Sequence, residues 1–384
     1  MNKGPKSERG IDTFTLRNSS RNAFLHCPYY YYLRYIEGIE SPNKSVPLTI
    51  GTAVHDGLQA LYDSIQAHDM LSSDHWTPVY NTLRLWASTA KADVEKRYYE
   101  EGSFMTQADL EQSQIIIDES YTLADELMRN YYTYWLTNDL EEYQIISTEQ
   151  KLYAPIYTNR GGVAHCRLEG TIDMIVRRRD DGSVWIMEHK TAGSDLDAIV
   201  EHYRRQPQHV GYMHLMRHNI DKYPAIAGHN PVGIVYNIIR KKIPREPTPL
   251  KCKKCKGKGC ELCDNTGIAG MSKAKIDTTP AVYLDSIQKY PHLDPKEYTE
   301  MLISLEPKRY SYFKREYVYV TEDQSKGWMN DTYNISRMIR RCYELGKEKG
   351  FPKAVSQCNS YGRLCSLFRV CNGELNRETA AKII

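Results

Sequence analysis

The sequence has no run of about 18 uninterrupted apolar residues, which is the length that a helix needs to span a bilayer. Its first residues, MNKGPKSERGIDTF, also lack the apolar segment of a secretory signal peptide. We therefore expect a cytoplasmic protein with no membrane partner. In that reducing compartment the ten cysteines are poor candidates for disulfide bonds, so clusters among them are first interpreted as metal ligands.

The sequence also has little net charge and little phenylalanine. The formal charge of +3 indicates no nucleic-acid partner by itself, because such partners are usually signalled by a local basic face. Six phenylalanines stand against thirty tyrosines. A tyrosine ring can stack on a base while its hydroxyl reaches a phosphate, so this usage suits single-stranded DNA, although most single tyrosines only pack.

The periodicity predicts a protein that contains both strands and helices. Segments 143–157, 163–178 and 183–190 are rich in β-branched and aromatic residues, which predicts an antiparallel meander, and 231–240 is typical of a buried strand. Helical spacing lies on both sides of these strands. The helical segments predicted are 21–36, capped by Ser19 and Ser20, 51–65, 107–137, 195–217, 294–304 and 322–349.

The meander brings three charged residues together. Asp181-Gly182 predicts a two-residue hairpin turn, which places Asp173 opposite Lys190. Glu188 lies two residues from Lys190 and therefore on the same face of its strand. Two carboxylates and an ammonium converge, and phosphodiester hydrolysis needs such groups to hold Mg²⁺ or Mn²⁺ and to stabilise developing charge.

An ordinary cross-strand ion-pair cluster on a solvated face could contain the same residue types. The neighbours favour a functional site, because Ile172, Met174, Ile186 and Met187 flank the charged positions with apolar side chains. Such flanks are expected of a central strand that is buried on both faces. Charged groups on a strand of this kind need a function.

The pair GTIDMI and IMEHK resembles the paired motifs of the PD-(D/E)XK nuclease superfamily, in its RecB-type exonuclease branch. That branch has a histidine in a G-T-x-x-H helix before the core and a Q-x-x-x-Y motif on a helix after it. His55 follows Gly51 and Thr52 in the first pattern, and Gln208 precedes Tyr212 in the second. The superfamily's usual proline is replaced here by an isoleucine.

The resemblance implies a restriction-endonuclease-like α/β fold, with a mixed central sheet flanked by helices. It also implies a catalytic set of Asp173, Glu188 and Lys190, in which the lysine positions or activates water. It also implies that Gln208 and Tyr212 contact the DNA backbone. The metal ligands that it implies are His55, Asp173, Glu188 and the main-chain carbonyl of His189.

The function that follows is a metal-dependent DNA exonuclease that prefers single strands or free ends and acts in recombination, repair or replication. No G-x-x-x-x-G-K-[ST] loop is present, so any unwinding would come from a partner such as a helicase or recombination protein. A catalytically idle DNA- or protein-binding module of the same fold is the alternative.

Four cysteines form the pattern C-x2-C-x4-C-x2-C, with two glycines between the pairs that allow tight turns around one ion. A structural zinc knuckle is predicted, and a loop with free thiols is the alternative. From Arg240 to Lys258 there are nine Lys or Arg against one Glu, so this loop either contacts phosphates or is merely solvated. The four predicted zinc ligands are Cys252, Cys255, Cys260 and Cys263.

A second set of cysteines, Cys358, Cys365 and Cys371, lacks one ligand for a closed site. One cysteine before the core and three after it resembles the iron-sulfur nuclease domains of the AddB-type and CRISPR-adaptation exonucleases, which implies that Cys27 completes a [4Fe-4S] site. Zinc or reduced thiols stay open. The remaining Cys166 and Cys342 are interpreted as packing residues.

These patterns divide the chain into four parts. They are a flexible N-terminus at 1–13, a nuclease core at 14–240, a basic zinc-knuckle insertion at 241–274 and a C-terminal part of the nuclease domain at 275–384.

Overall fold

The computed structural model describes residues 14–39, 46–67, 74–99, 105–193, 196–346, 349–360 and 363–374. The predicted flexible N-terminus, 1–13, lies outside these residues. The strands are β1 Phe14–Leu16, β2 Tyr143–Tyr157, β3 Val163–Arg178, β4 Val184–Ala192, β5 Gly233–Arg240, β6 Pro249–Lys251, β7 Ile268–Met271, β8 Phe313–Tyr319, β9 Asn359–Ser360 and β10 Arg363–Leu364. The helices are α1 Asn18–His26, α2 Pro28–Tyr31, α3 Val46–Ala67, α4 Trp76–Tyr99, α5 Gln107–Tyr134, α6 Leu136–Glu142, α7 Leu196–Arg205, α8 Gln208–Asn219, α9 Pro280–Gln288, α10 Thr299–Leu305, α11 Glu322–Glu344 and α12 Phe368–Cys371.

A mixed sheet of six strands forms the centre of the protein. β2, β3 and β4 form the predicted antiparallel meander, β5 runs parallel to β4, and β8 runs antiparallel to β5. Helices cover both faces, with α3, α4 and α5 on one side and α7, α8 and α11 on the other. The predicted fold class, a mixed central sheet flanked by helices, is confirmed.

The edge of β3 that faces β4 has a gap in its pairing. β2 pairs with the opposite edge of β3, so β1 and β4 both pair with the edge that contains the gap. The β1 ladder ends at Leu168, and the β4 ladder begins at Met174 opposite Met187. Among the strands that the structure describes, none therefore pairs with residues 169–173 on this edge, which leaves room there for side chains and a ligand.

The predicted register of the β3–β4 hairpin is wrong by two residues. Met174 pairs with Met187, so the same register places Glu188, not Lys190, opposite Asp173. The turn is longer than predicted, because the Arg178 N–H donates to the Ser183 carbonyl and four residues lie between them. A shift of two residues keeps every side chain on its predicted face, so the convergence of the charged groups is unaffected.

Two predicted helices are interrupted by proline. The segment predicted as one helix at 21–36 is α1, α2 and a π-helical turn, and the chain breaks before Pro28, which lacks the N–H needed to continue α1. The predicted serine caps are wrong, since Arg17 occupies the cap position. Pro207 likewise separates α7 from α8 within the predicted helix at 195–217.

The core lies between the sheet and its helices. Ile186 and Met187 are fully buried on opposite faces of β4, one beneath α8 and the other beneath α3 and α5. On α3, Val54, Leu58 and Leu61 follow helical spacing and are fully buried. Each such side chain stabilises the fold by roughly 1.5–3 kcal/mol, so a strand of this kind admits charged residues only where they have partners.

The residues between β5 and β8 form an insertion with its own small core. β6 and β7 form a hairpin that contains the cysteine pattern, and Met271 packs beneath it against Tyr283 and Tyr298 of the helical part that follows. The C-terminal segment returns to the N-terminal helices, where Phe351 lies against the ring of Tyr31. The predicted boundary at residue 274 stays a prediction.

Candidate active site

The site lies in the gap along β3, where Asp173 is the last residue before the β4 ladder. The main-chain N–H of His189 donates a hydrogen bond of 2.8 Å to Oδ2 of Asp173. This bond continues the contact between the strands one step beyond their last paired residues. The largely buried carboxylate of Asp173 is therefore held by the backbone of β4.

Glu188 and Lys190 form an ion pair beside Asp173. Nζ of Lys190 lies 2.5 Å from Oε1 of Glu188, whose residue is only 3% exposed. The second oxygen, Oε2 of Glu188, is buried and has no hydrogen-bond partner among the described residues. A buried oxygen without a partner costs about 1–3 kcal/mol, and this atom is available to a ligand from outside the chain.

His55 reaches the same place from helix α3. Its Nδ1 lies 3.5 Å from Oδ2 of Asp173. One turn earlier Gly51 approaches the end of β4, where an added Cβ would lie 3.3 Å from Oγ1 of Thr191. Burial lowers the pKa of His55, which favours the neutral imidazole that binds metals.

Glu149 is a further site residue that the sequence interpretation missed. The neighbouring pairs of Thr148 with Met174 and Gln150 with Ile172 place it opposite Asp173 on β2. Its φ of +43° is rare outside glycine, which indicates that the strand is distorted at this point. The one signal in the sequence is a carboxylate at this position of the strand, and it is informative only once the register of β2 is known.

The carboxylates are crowded where little water can reach them. Burial raises the pKa of Asp173 to about 7, although Lys190 and the His189 amide oppose the shift. Burial and the nearby Asp173 raise the pKa of Glu188 to about 7, and burial with Glu188 does the same for Glu149. Burial alone would lower the pKa of Lys190, but Glu188 and Asp173 raise it, so the ammonium stays charged.

These groups fit a divalent cation. Ligand atoms of His55, Glu149 and Asp173 all lie within 4.8 Å of one another. Glu188 lies outside this close group, but its carboxylate interacts electrostatically with Asp173 and His55. Oxygen ligands with one imidazole suit Mg²⁺ or Mn²⁺. A cation would also offset the repulsion among the carboxylates.

The side chain of His189 points away from the carboxylates into a buried polar network. Its Nδ1 lies 3.0 Å from Nδ2 of Asn237, which also donates to the hydroxyl of Tyr131 at 2.7 Å. The ring of Tyr62 stacks on the imidazole with ring centroids 5.8 Å apart. These contacts fix the orientation of His189, while the role of its carbonyl as a metal ligand stays a prediction.

Gln208 and Tyr212 lie beside Glu188. Nε2 of Gln208 donates to Oε1 of Glu188 at 3.1 Å and to the hydroxyl of Tyr212 at 2.8 Å. Tyr212 is only 9% exposed, and its burial raises the pKa of its hydroxyl. Gln208 thus contacts Glu188 directly and Tyr212 contacts Gln208, while the contact of both residues with the DNA backbone stays a prediction.

The first cysteine set has the geometry of a single-ion site. Three of its Sγ–Sγ separations are 3.9 Å for Cys252–Cys260, 3.8 Å for Cys255–Cys263 and 3.7 Å for Cys260–Cys263. A tetrahedral zinc ion with Zn–S bonds of about 2.3 Å would separate its sulfurs by about 3.8 Å. The four thiols therefore fit one zinc ion.

The second cysteine set surrounds a larger space. Cys27, Cys358, Cys365 and Cys371 line one cavity of about 140 Å³. Burial raises the pKa of Cys365, and the nearby thiols of the other three contribute. Although all four are described, no three of their sulfurs lie within 4.8 Å of one another, so this set is wider than the first. That it holds a [4Fe-4S] cluster stays a prediction. Cys166 is buried as expected, whereas Cys342 is only partly buried.

A mixed sheet with buried Asp, Glu and Lys at a gap between strands is the arrangement of a restriction-endonuclease-like nuclease. The family model of the PD-(D/E)XK nuclease superfamily matches residues 18–371, and the chain belongs to this superfamily. No curated protein matches the chain. Within the described residues, every helix is too short or too polar to span a membrane.

Proposed function

We propose that this nuclease hydrolyses DNA with a divalent cation and that Asp173, Glu188 and Lys190 carry the reaction. The observation that supports this most directly is the buried oxygen of Glu188 that has no hydrogen-bond partner among the described residues. It belongs to the same site as Asp173, whose pKa is raised by burial. An idle scaffold would gain nothing from keeping two such carboxylates buried, since their removal would relieve a desolvation cost.

Mg²⁺ or Mn²⁺ would be held by Asp173 and Glu188, by His55 and by the main-chain carbonyl of His189, with Glu149 as an added ligand. When bound, the cation would polarise the scissile phosphodiester and neutralise charge that develops on it. Lys190 holds an ammonium beside this position, where it can orient water or stabilise the phosphate in the transition state. Gln208 keeps Glu188 oriented through its hydrogen bond.

The proposed mode is that of a single-strand-preferring exonuclease in recombination, repair or replication. The resemblance to the RecB-type branch supports the use of a free end. Tyr203 supports single-strand preference, because its partly exposed ring lies 6.0 Å from Nζ of Lys190 and stacks on Tyr236. A ring at that position could stack on an unpaired base next to the cleaved bond.

We also propose that the cysteines bind two cofactors. The knuckle thiols would bind a structural zinc ion, and Cys27 with the three C-terminal cysteines would bind a [4Fe-4S] cluster that joins the two ends of the domain. Protein purified without oxygen should be brown and contain iron and acid-labile sulfide. Cys358→Ala should lose both, whereas Cys342→Ala should keep them. A colourless protein that contains only zinc would contradict the cluster.

Cleavage of end-labelled DNA tests the proposed function. Linear and circular single strands are compared with linear duplex, each with Mg²⁺, with Mn²⁺ and with a chelator. We expect metal-dependent loss of linear single strands and survival of the circles. Cleavage of the circles would make the protein an endonuclease, while DNA binding without cleavage would favour the idle binding module.

A further inference from the structure

Five lysines of the insertion are exposed and take part in no ion pair within the part of the chain that the structure describes. Each lies in the hairpin that holds the knuckle, and none contacts a carboxylate, although the structure describes all five. Other lysines nearby differ, since Lys289 pairs with Glu246 and Lys242 pairs with Asp277. We call this set the knuckle lysines: Lys251, Lys253, Lys254, Lys256 and Lys258.

The backbone fixes the position of these lysines. Lys256 and Gly257 have φ angles of +53° and +85°, and an added Cβ on Gly267 would lie 2.4 Å from the carbonyl of Gly257. The four thiols constrain the same loop. The folded loop therefore holds the knuckle lysines despite their mutual repulsion. A polyanion can bind them without first ordering the loop.

The insertion starts beside the active site. The N–H of Lys241, its first residue, donates to the carbonyl of Ala192 at 2.7 Å. Ala192 lies two residues beyond Lys190 on β4. The chain that carries the knuckle thus leaves the sheet at the strand end nearest the cleavage centre.

We propose that the knuckle lysines form a docking surface for the phosphate backbone of DNA outside the cleavage centre. This rests on the proposed function, because it assumes that DNA occupies the neighbouring site. Leu262 is 72% exposed in the same loop and could suit a protein partner. The charges favour DNA, since five cations lie within eight residues and the loop has only Glu261 and Asp264 as acids.

Salt dependence of DNA binding tests this docking surface. Lys253, Lys254, Lys256 and Lys258 are changed to Gln in the full chain, in an Asp173→Asn background that removes cleavage. The probes are two labelled single strands. One is long enough to extend from the cleavage centre to the knuckle lysines, and the other is short enough to occupy the cleavage centre only. The control changes four exposed lysines elsewhere to Gln, namely Lys96, Lys222, Lys296 and Lys326.

We expect the slope of log affinity against log salt to fall by about 2–3 for the long probe, since each lost contact to single-stranded DNA removes about 0.7. Affinity for the long probe should fall roughly 10- to 100-fold, with little change for the short probe and for the control. Equal slopes, in a variant that keeps its zinc, would overturn the proposal and leave a protein partner as the better explanation. Cleavage by the native chain is measured separately, so failure of the proposed function can be distinguished from failure of the docking surface.

Discussion

The main-chain N–H of His189 holds the carboxylate of Asp173 across the gap between β3 and β4. The backbone of the sheet therefore helps to position the acidic side chain, and His55 approaches the same oxygen from α3 at 3.5 Å. The groups around it come from β2, β4 and α3, so the site exists only when the sheet and its first long helix are assembled.

Magnesium should stabilise the native protein against heat. At pH 8, above the raised pKa of about 7, Glu188 is ionised while buried beside Asp173, and a bound cation would remove part of that cost. We expect Mg²⁺ to raise Tm by roughly 2–5 °C, as measured by calorimetry. The variant Glu188→Gln should show little Mg²⁺ dependence, and an equal shift in native protein and variant would contradict the metal site.

Glu149 should matter for activity but not for folding. Because its φ is +43°, Glu149→Gly relieves backbone strain while it removes the carboxylate. We expect Tm to stay level or rise, and cleavage at low Mg²⁺ to fall roughly 10- to 100-fold, as when a charge-stabilising group is lost. Glu141→Gln, at an exposed position of α6, is the control. Full activity of Glu149→Gly at limiting metal would exclude this residue from the site.

Asn237 should couple stability to metal binding through His189. Asn237→Ala leaves the buried Nδ1 of His189 without its hydrogen-bond partner and removes one of the partners of Tyr131, which should lower the free energy of unfolding by about 1–3 kcal/mol in urea titrations. It should also raise the Mg²⁺ concentration for half-maximal cleavage, because the His189 backbone is less well fixed. Asn334→Ala, on the exposed surface of α11, should change neither quantity. A loss of stability with unchanged metal dependence would limit Asn237 to a structural role.

Removal of zinc should unfold the knuckle and leave the nuclease core folded. The core clusters contain no residue of the knuckle loop, so chelation removes only local constraints. We expect trypsin to cut at the knuckle lysines after treatment with a chelator, with the overall circular dichroism nearly unchanged. Cys255→Ser should be cut in the same way without chelator. Resistance to trypsin in both cases would show that the loop does not depend on metal.

The sequence was enough to predict the meander and the convergence of Asp173, Glu188 and Lys190, because alternation fixes which face a residue occupies. It failed on the hairpin register, because Asp181-Gly182 closes a longer turn than its dipeptide suggests. Each side chain nevertheless lies on its predicted face of the strand, because the register differs by two residues. The polar environment of Gln208 could not be predicted either, as it depends on how α8 packs over β4.

Glu149 shows the limit of sequence reasoning more sharply. Its role depends on a distorted strand, on the pairing of β2 with β3 and on the approach of α3, none of which a single sequence pattern encodes. The convergence of the four knuckle thiols was predictable from the spacing of the cysteines. The meeting of Cys27 with Cys365 depends on how the C-terminal segment returns to α1, so only the resemblance pointed to it.

The most direct test of the account is the single-turnover rate of cleavage of an end-labelled single strand by Asp173→Asn and Lys190→Met in saturating Mg²⁺. Asp180→Asn, in the exposed turn of the same hairpin, and Lys151→Met, on the neighbouring strand, are matched controls. We predict that both site variants lose about 100-fold or more in rate while the controls keep the native rate. Site variants that cleave as fast as their controls would contradict the proposed active centre.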